Sequence, residues 1–237
     1  MKLIKKIGTW VGGVLFSICF LVVLLVTSFE VGAYGNWGFY EKEYKKYNVT
    51  EDLKMEMPDV MDVTKNMMAF LRGNREDLIV PTVVDGQQRN FFNADEISHM
   101  DDVKEMFVWG LRLRIVAVVL MVLLIALWIW KRVSVKRILP LAFQYTTLAL
   151  GTVTAVIAGL FISNFDKYFV IFHELFFSQG NWTFDPAVSL MINMLPEGFF
   201  SDIAGRIVLI FMVLLLASFI VATGARMLNG KEKPKNK

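Results

Sequence analysis

Residues 111–132, LRLRIVAVVLMVLLIALWIWKR, decide the fold class. From Ile115 to Trp130 every side chain is apolar, and the run closes on Lys131 and Arg132. A hydrocarbon layer of about 30 Å takes roughly 20 helical residues to cross, and this run is long enough. Three more runs of the same kind lie near Ile7 to Phe29, Leu139 to Ile162 and Ala204 to Met227, the quoted one being near Leu111 to Trp130. Composition agrees: 55% of residues are hydrophobic and 14% aromatic against 20% charged, with a mean hydropathy of +0.50. The reading is an all-α integral membrane protein with four transmembrane helices in a single membrane domain. No run carries a charge near its centre, which argues against an ion or proton pathway through the bilayer.

The leader MKLIKK gives the first run the look of a secretory signal. The run is long for an h-region and no small-x-small cleavage site follows, so it is expected to stay as an anchor. Cys19 within it follows Ile18, where a lipidation signal wants a small residue, so the chain itself is not expected to be a lipoprotein. With one cysteine no intrachain disulfide can form, and Cys19 reads as a small buried side chain. Four crossings put Lys2, Lys5, Lys6, Lys131, Arg132, Lys136, Arg137, Arg226 and the lysines of the tail on one side, which the positive-inside rule makes cytoplasmic. Both termini are then inside. Every acidic residue except Glu232 falls outside, so the net charge of +3 hides a strong separation of sign. The basic clusters are short flanks of apolar runs, one of them a tail suited to anionic lipid, and do not imply nucleic acid as a partner.

Two segments face outward, a cap over about 30–108 and an interfacial segment over about 163–203. In the cap, Val60, Met61, Val63, Met67, Met68, Phe70 and Leu71 recur at helical spacing and predict a helix from Pro58 to Leu71, stopped at Gly73. Leu78 to Val84 and Arg89 to Phe92 flank Asp85-Gly86, a hairpin turn pair, so the cap is expected to be a small α+β unit. The second segment concentrates Tyr168, Phe169, Phe172, Phe176, Phe177 and Trp182 where a helix leaves the bilayer. Asp185-Pro186 predicts the N-cap and first turn of a short helix ended at Pro196.

The chain has only two histidines. His99 follows Ser98, which with Asp101 makes a weak capping box and predicts that His99 sits near the first turn of the helix that becomes the second span. A helix start favours the neutral imidazole, while Asp102 pulls the other way. His173 stands in IFHELFF, residues 171–177, among large apolar side chains. Either histidine alone reads as an interfacial polar residue snorkelling toward headgroups. Together, at one depth on one side, they read as a general acid and base. A zinc site built from both histidines with Asp102 or Glu174 lacks an HExxH or cysteine pair. No GxSxG elbow supports a serine hydrolase, and the outward arginines, Arg112 among them, are dispersed. The sequons at Asn48 and Asn181 read as chance matches.

The outward SHMDDV before the second span, FHELFF followed by NW and DP, and LP with FF and D before the fourth resemble the bacterial lipoprotein intramolecular transacylases. His99, Asp102, His173, Trp182, Asp185 and Pro196 carry the match, from about Asn93 onward. The resemblance implies a diacylglyceryl lipoprotein as substrate, met in the membrane among its lipids. The sn-2 acyl chain moves to the α-amino group of the substrate's N-terminal cysteine, leaving a lyso-form lipoprotein, with no cofactor and no metal. His99 and His173 would be catalytic and Asp102, Trp182 and Asp185 supporting. Phe172, Phe176 and Phe177 would hold acyl chains, with Arg112 a further substrate contact. The oxyanion donor is left open between amides near Asn181 and Arg112, and the helix position leans toward His99 as base. Glu174 is expected to face water. The rival readings are a non-enzymatic envelope protein that binds a partner or metal through its cap, and a membrane lipid hydrolase.

Overall fold

The structure is a computed structural model that describes residues 2–177, 180 and 182–231, with side chains described only between 6 and 228. Asn181 of the second sequon, Ser178, Gln179 and the tail from Glu232 onward lie outside the described residues; of the amides near Asn181, that of Gly180 donates to the Phe177 carbonyl at 3.2 Å. In chain order the elements are α1 (Lys2–Tyr34), α2 (Trp37–Lys46), α3 (Val49–Leu53), α4 (Met57–Leu71), β1 (Pro81–Val84), β2 (Gln87–Asn90), α5 (Ala94–Trp130), α6 (Ile138–Ser163), α7 (Phe165–Phe176), α8 (Leu190–Met194) and α9 (Glu197–Lys231). They fall into two compact units: residues up to 29, 112–162 and from 208 on, and residues 30–111 with 163–207.

The first unit is made from the four helices long and apolar enough to cross a membrane, α1, α5, α6 and α9. In hydrocarbon every backbone polar group has to be satisfied within the protein, and a helix does this within its own segment. The hydroxyls of Ser17 and Ser218 do likewise, donating to the carbonyls of Gly13 and Leu214 at 2.7 and 2.8 Å. Small residues set the packing. A Cβ on Gly12 would sit 3.2 Å from the Trp128 ring and one on Gly13 3.0 Å from Ala142, so α1 lies close to both α5 and α6. Phe16 then meets Trp128 at 5.9 Å between ring centroids, and Phe20 meets Phe143 at 5.7 Å.

The second unit has an aromatic core. Tyr40, Tyr44, Val60, Val63, Thr64 and Phe70 are almost wholly buried. The Tyr44 hydroxyl bonds that of Thr64 at 2.7 Å, and Phe199 stacks on Tyr44 at 5.8 Å. Asn36 caps α2 by accepting from the Gly38 amide. Asp202 accepts from Lys46 and, at 2.6 Å, from the Tyr47 hydroxyl, tying α9 to the end of α2. β1 and β2 pair antiparallel from Pro81 with Asn90 to Val84 with Gln87. The turn between them is Asp85-Gly86, both with positive φ, as a twisted two-residue hairpin requires.

Several local expectations are corrected. α2 and α3 occupy a stretch with no predicted element, because the face of α2 is written in Tyr40 and Tyr44 among charges and α3 is a single turn that buries only Val49 and Leu53. β1 starts at Pro81, three residues after the expected Leu78, and β2 keeps the expected length but lies two residues nearer the turn than Arg89 to Phe92. Asp185 does not open a helix: its carboxylate accepts from the Ala187 amide and caps a turn. α8 begins four residues later on Ser189, whose hydroxyl accepts from Ile192. The capping box of α5 is not Ser98 with Asp101 but Asn93 with Glu96, each side chain accepting from the other's amide, at 2.9 and 2.7 Å.

One close approach of helices depends on glycine. A Cβ on Gly32 of α1 would lie 2.5 Å from Ile207 Cγ1 of α9, inside any tolerable contact. Gly32→Ala is therefore expected to cost about 1–3 kcal/mol through overpacking, measured as a lower unfolding midpoint in detergent, and Ile207→Ala in the same chain should recover part of the loss.

Candidate active site

His99 is the sixth residue of α5 and lies twelve positions before the apolar run that starts at Leu111. His173 lies in the last turn of α7, which Asn164 starts by accepting from the Lys167 amide. Both are buried, at 7% and 8% exposure. Their ring centroids are 6.0 Å apart with the planes 30° from parallel. Phe177, which directly follows α7, touches both rings, at 4.8 Å from His99 and 5.3 Å from His173.

Aromatic side chains close the rest of the surroundings. Phe184 meets His99 edge-on at 5.7 Å. Phe169, Trp182 and Phe172 lie at 4.0, 5.0 and 5.4 Å from His173. Such walls offer few dipoles, so charging an imidazole there is unfavourable. Burial accordingly holds His99 far below the ordinary imidazole value, at about 4, the facing His173 adds to the shift, and Asp102 opposes it. Burial also lowers His173, against the raising effect of its hydrogen bond to Phe169. At neutral pH both rings are uncharged.

The hydrogen bonds separate the two histidines. His173 Nδ1 lies 2.8 Å from the Phe169 carbonyl oxygen. A carbonyl can only accept, so Nδ1 carries the proton and Nε2 holds the free lone pair. His99 Nδ1 is buried with no partner among the described residues, a costly arrangement that a bound group can relieve.

A buried carboxylate fixes this neighbourhood. Glu96, one turn before His99 on α5, is wholly buried. One of its oxygens accepts from the Ser189 hydroxyl at 2.5 Å and the Met191 amide at 3.1 Å, and the other accepts from the Asn93 amide. The start of α8 is thereby bound to the start of α5. The sequence reading missed Glu96 and Phe184. The spacing Asn93 to Glu96 is a capping-box signal for the first, while nothing local marks the second.

The other expected residues divide. Asp102 is half-buried one turn after His99, near enough to raise its pKa. Trp182 and Phe172 border His173 as given above. Phe176 is 56% exposed and meets the Phe172 ring at 4.8 Å. Asp185 is exposed with its carboxylate spent on its turn, and Glu174 and Arg112 are exposed. Among the described residues no three His, Cys, Asp or Glu side chains group closely enough to hold a metal ion.

Comparison with known proteins gives a family and a fold. The family model described as Lipoprotein intramolecular transacylase Lit matches residues 14–200. No curated protein matches significantly. An in meso structure of the membrane integral lipoprotein intramolecular transacylase Lit from Bacillus cereus is 21% identical with a TM-score of 0.75, over 94% of this chain and 99% of that one. Structures of two variants of that protein, a histidine replaced by arginine or by alanine, have a TM-score of 0.74 each at 19% and 20% identity. They cover 96% and 95% of this chain and 97% and 98% of theirs. At these identities the likeness speaks for the fold.

Two outcomes are expected from the geometry. Glu96→Ala leaves the Ser189 hydroxyl and two amides without their acceptor, and should lower stability by about 3 kcal/mol, read from the unfolding midpoint, with Glu96→Gln recovering part. The second concerns pH. Between about 4 and the ordinary value of 6.5 the unfolded chain binds a proton that folded His99 refuses. The contribution to stability is complete above 6.5 and declines as pH falls through that window. Asp102→Asn removes the carboxylate that opposes the shift, so His99 should titrate at still lower pH in an imidazole NMR titration.

Proposed function

The chain belongs to the lipoprotein intramolecular transacylase family, Lit, a family of membrane acyltransferases, and from that premise we propose that it transfers the sn-2 acyl chain of a diacylglyceryl-modified N-terminal cysteine to the α-amino group of the same cysteine. The product is a lyso-form lipoprotein. The observation that carries this reading is the pair of neutral, buried imidazoles facing each other at 6.0 Å, with Phe177 against both.

The reaction is aminolysis of an ester. A carbon–nitrogen bond forms, the carbon–oxygen bond to the glyceryl group breaks, one amine proton departs and the glyceryl oxygen gains one. The tautomer of His173 suits it to the first proton: Nε2 accepts, and the charge that forms is steadied by the Nδ1–H bond to the Phe169 carbonyl. This favours His173 as base, where helix position alone leaned toward His99. His99 then faces the glyceryl oxygen. A neutral imidazole gives a proton from one nitrogen while taking one on the other, so the proton held by His173 passes on and both rings end neutral.

Nucleophile and ester belong to one molecule, so the protein mainly has to fold that molecule into a compact pose. Well-placed intramolecular reactants gain up to about 7–11 kcal/mol from proximity. Phe169, Phe172, Phe177 and Phe184 give acyl chains an apolar wall beside the rings, and Trp182 joins them. No acyl-enzyme is needed. The same reading places the site at the extracytoplasmic leaflet, with both termini cytoplasmic and the second unit as an outer cap; the basic ends of the apolar helices support it. Substrate lipoprotein and surrounding lipid are the only partners required.

The test is mass spectrometry of lipoprotein N-termini from a host lacking other N-acylating activity, supplied with wild type, His99→Ala or His173→Ala. Wild type should give the N-acylated lyso product, and each variant should lose at least about a hundredfold in conversion while still inserting in the membrane. Free fatty acid in place of the lyso product would favour a hydrolase. Conversion retained in either variant would remove that histidine from the chemistry.

A further inference from the structure

The bundle unit contains a groove of its own, with a volume of about 530 Å³, between α6 and α9. Its apolar wall includes Leu148, Gly151, Ala155, Leu215 and Phe219. Gly151 has nothing within 4 Å of where a Cβ would stand, so the floor is open at that point. At one end of the groove is Arg226, held by a chain of side chains. Its Nη1 donates to Gln144 Oε1 at 3.1 Å, Gln144 Nε2 donates to the Thr223 hydroxyl at 2.9 Å, and that hydroxyl donates to the Phe219 carbonyl at 2.8 Å.

Two facts make this more than a lipid-facing surface. The guanidinium has five donors, and only one is used in this chain of bonds, leaving a pre-aimed cation at the mouth of an apolar slot. Thr147, on the same wall, is 9% exposed and its hydroxyl has no partner among the described residues. The hydroxyls of Thr152 and Thr154 on the same helix are satisfied by the carbonyls four residues back. The basic residues Lys131, Arg132, Lys136 and Arg137 lie in the link between α5 and α6, and Gln144 stands in the second turn of the helix that the link leads into.

We propose that this groove is a binding site for one anionic glycerophospholipid, its phosphate on the Arg226 guanidinium and one acyl chain along Gly151 and Ala155. Cation, buried hydroxyl donor and apolar slot match phosphate, ester carbonyl and acyl chain in that order. A basic pocket between membrane helices is the chemistry that selects an acidic headgroup. The site is separate from the histidine pair, which lies wholly in the other unit. Only its assignment to the cytoplasmic leaflet rests on the orientation proposed above.

The full-length protein is reconstituted in nanodiscs of phosphatidylcholine and phosphatidylglycerol in equal parts, released, and examined by native mass spectrometry. One phosphatidylglycerol should be retained per chain, with roughly fivefold preference over phosphatidylcholine. Arg226→Gln should abolish the preference but leave a retained lipid, and Ala155→Leu, which fills the slot, should reduce retention of either lipid. Inorganic phosphate should fail to displace the retained lipid, because a free anion leaves the slot unfilled. Equal retention of the two lipids by wild type would overturn the proposal, as would an unchanged preference in Arg226→Gln. Displacement by phosphate, or a dimer that Ala155→Leu dissociates, would do the same.

Discussion

The site is held in place by one carboxylate. Glu96 has no exposure to solvent and gives both oxygens to donors from two parts of the chain, Asn93 beside it and Ser189 and Met191 nearly a hundred residues on. Burying an ion costs several kcal/mol unless hydrogen bonds replace its hydration. Here they do, and the three donors have no freedom to wander. His99 follows Glu96 by one turn of the same helix, so its ring direction is inherited from the clamp. The ring of Phe184 comes from the segment that runs into Ser189, so the aromatic wall beside His99 is inherited from it too.

That rigidity explains how the second unit holds two uncharged imidazoles so near each other. Charged rings at 6.0 Å would repel, and the aromatic walls would not solvate them. The same walls lower both pKa values, with burial the first cause in each. If the rings act as proposed, a base of lowered pKa is weak toward the proton of a free ammonium. It would be adequate toward the proton of an amine already attacking a carbonyl, which is far more acidic. The low polarity that weakens the bases also strengthens every hydrogen bond made to the reacting atoms.

How much of this was legible in the sequence depended on range. The four apolar helices are written in composition, because hydrocarbon demands long uninterrupted apolar segments. The hairpin turn is written in Asp85-Gly86, because few pairs accept two positive φ values in a row. The histidines stood out by scarcity. Their common depth followed from the topology, while the closeness of the rings depends on packing between residues 74 positions apart. α2 and α3 escaped because residues such as Lys45 and Glu51 dilute their periodicity, the apolar face of α2 emerging only against α4 and Phe199 and that of α3 against α8. Ser189 was passed over for Asp185-Pro186, a stronger local signal that the chain spends on a turn instead. Phe176 looks suitable by type, and packing decides that it stands exposed beside Phe172.

In the proposed reaction charge would develop on the carbonyl oxygen, and the aromatic side chains described around the histidines supply no cation to meet it. Neutral N–H donors would then serve, as they can where water is excluded and the donors are fixed beforehand. This bears on why the transfer would be intramolecular. An external nucleophile would need its own binding energy and its own desolvation in a site poor in polar groups. An amine tethered a few bonds from the ester arrives without either, and needs only a surface that holds two acyl chains and a bend between them. Walls of phenylalanine beside the rings are better suited to shaping a lipid than to activating water. In the proposed reaction the acyl group would pass to the amine already in place.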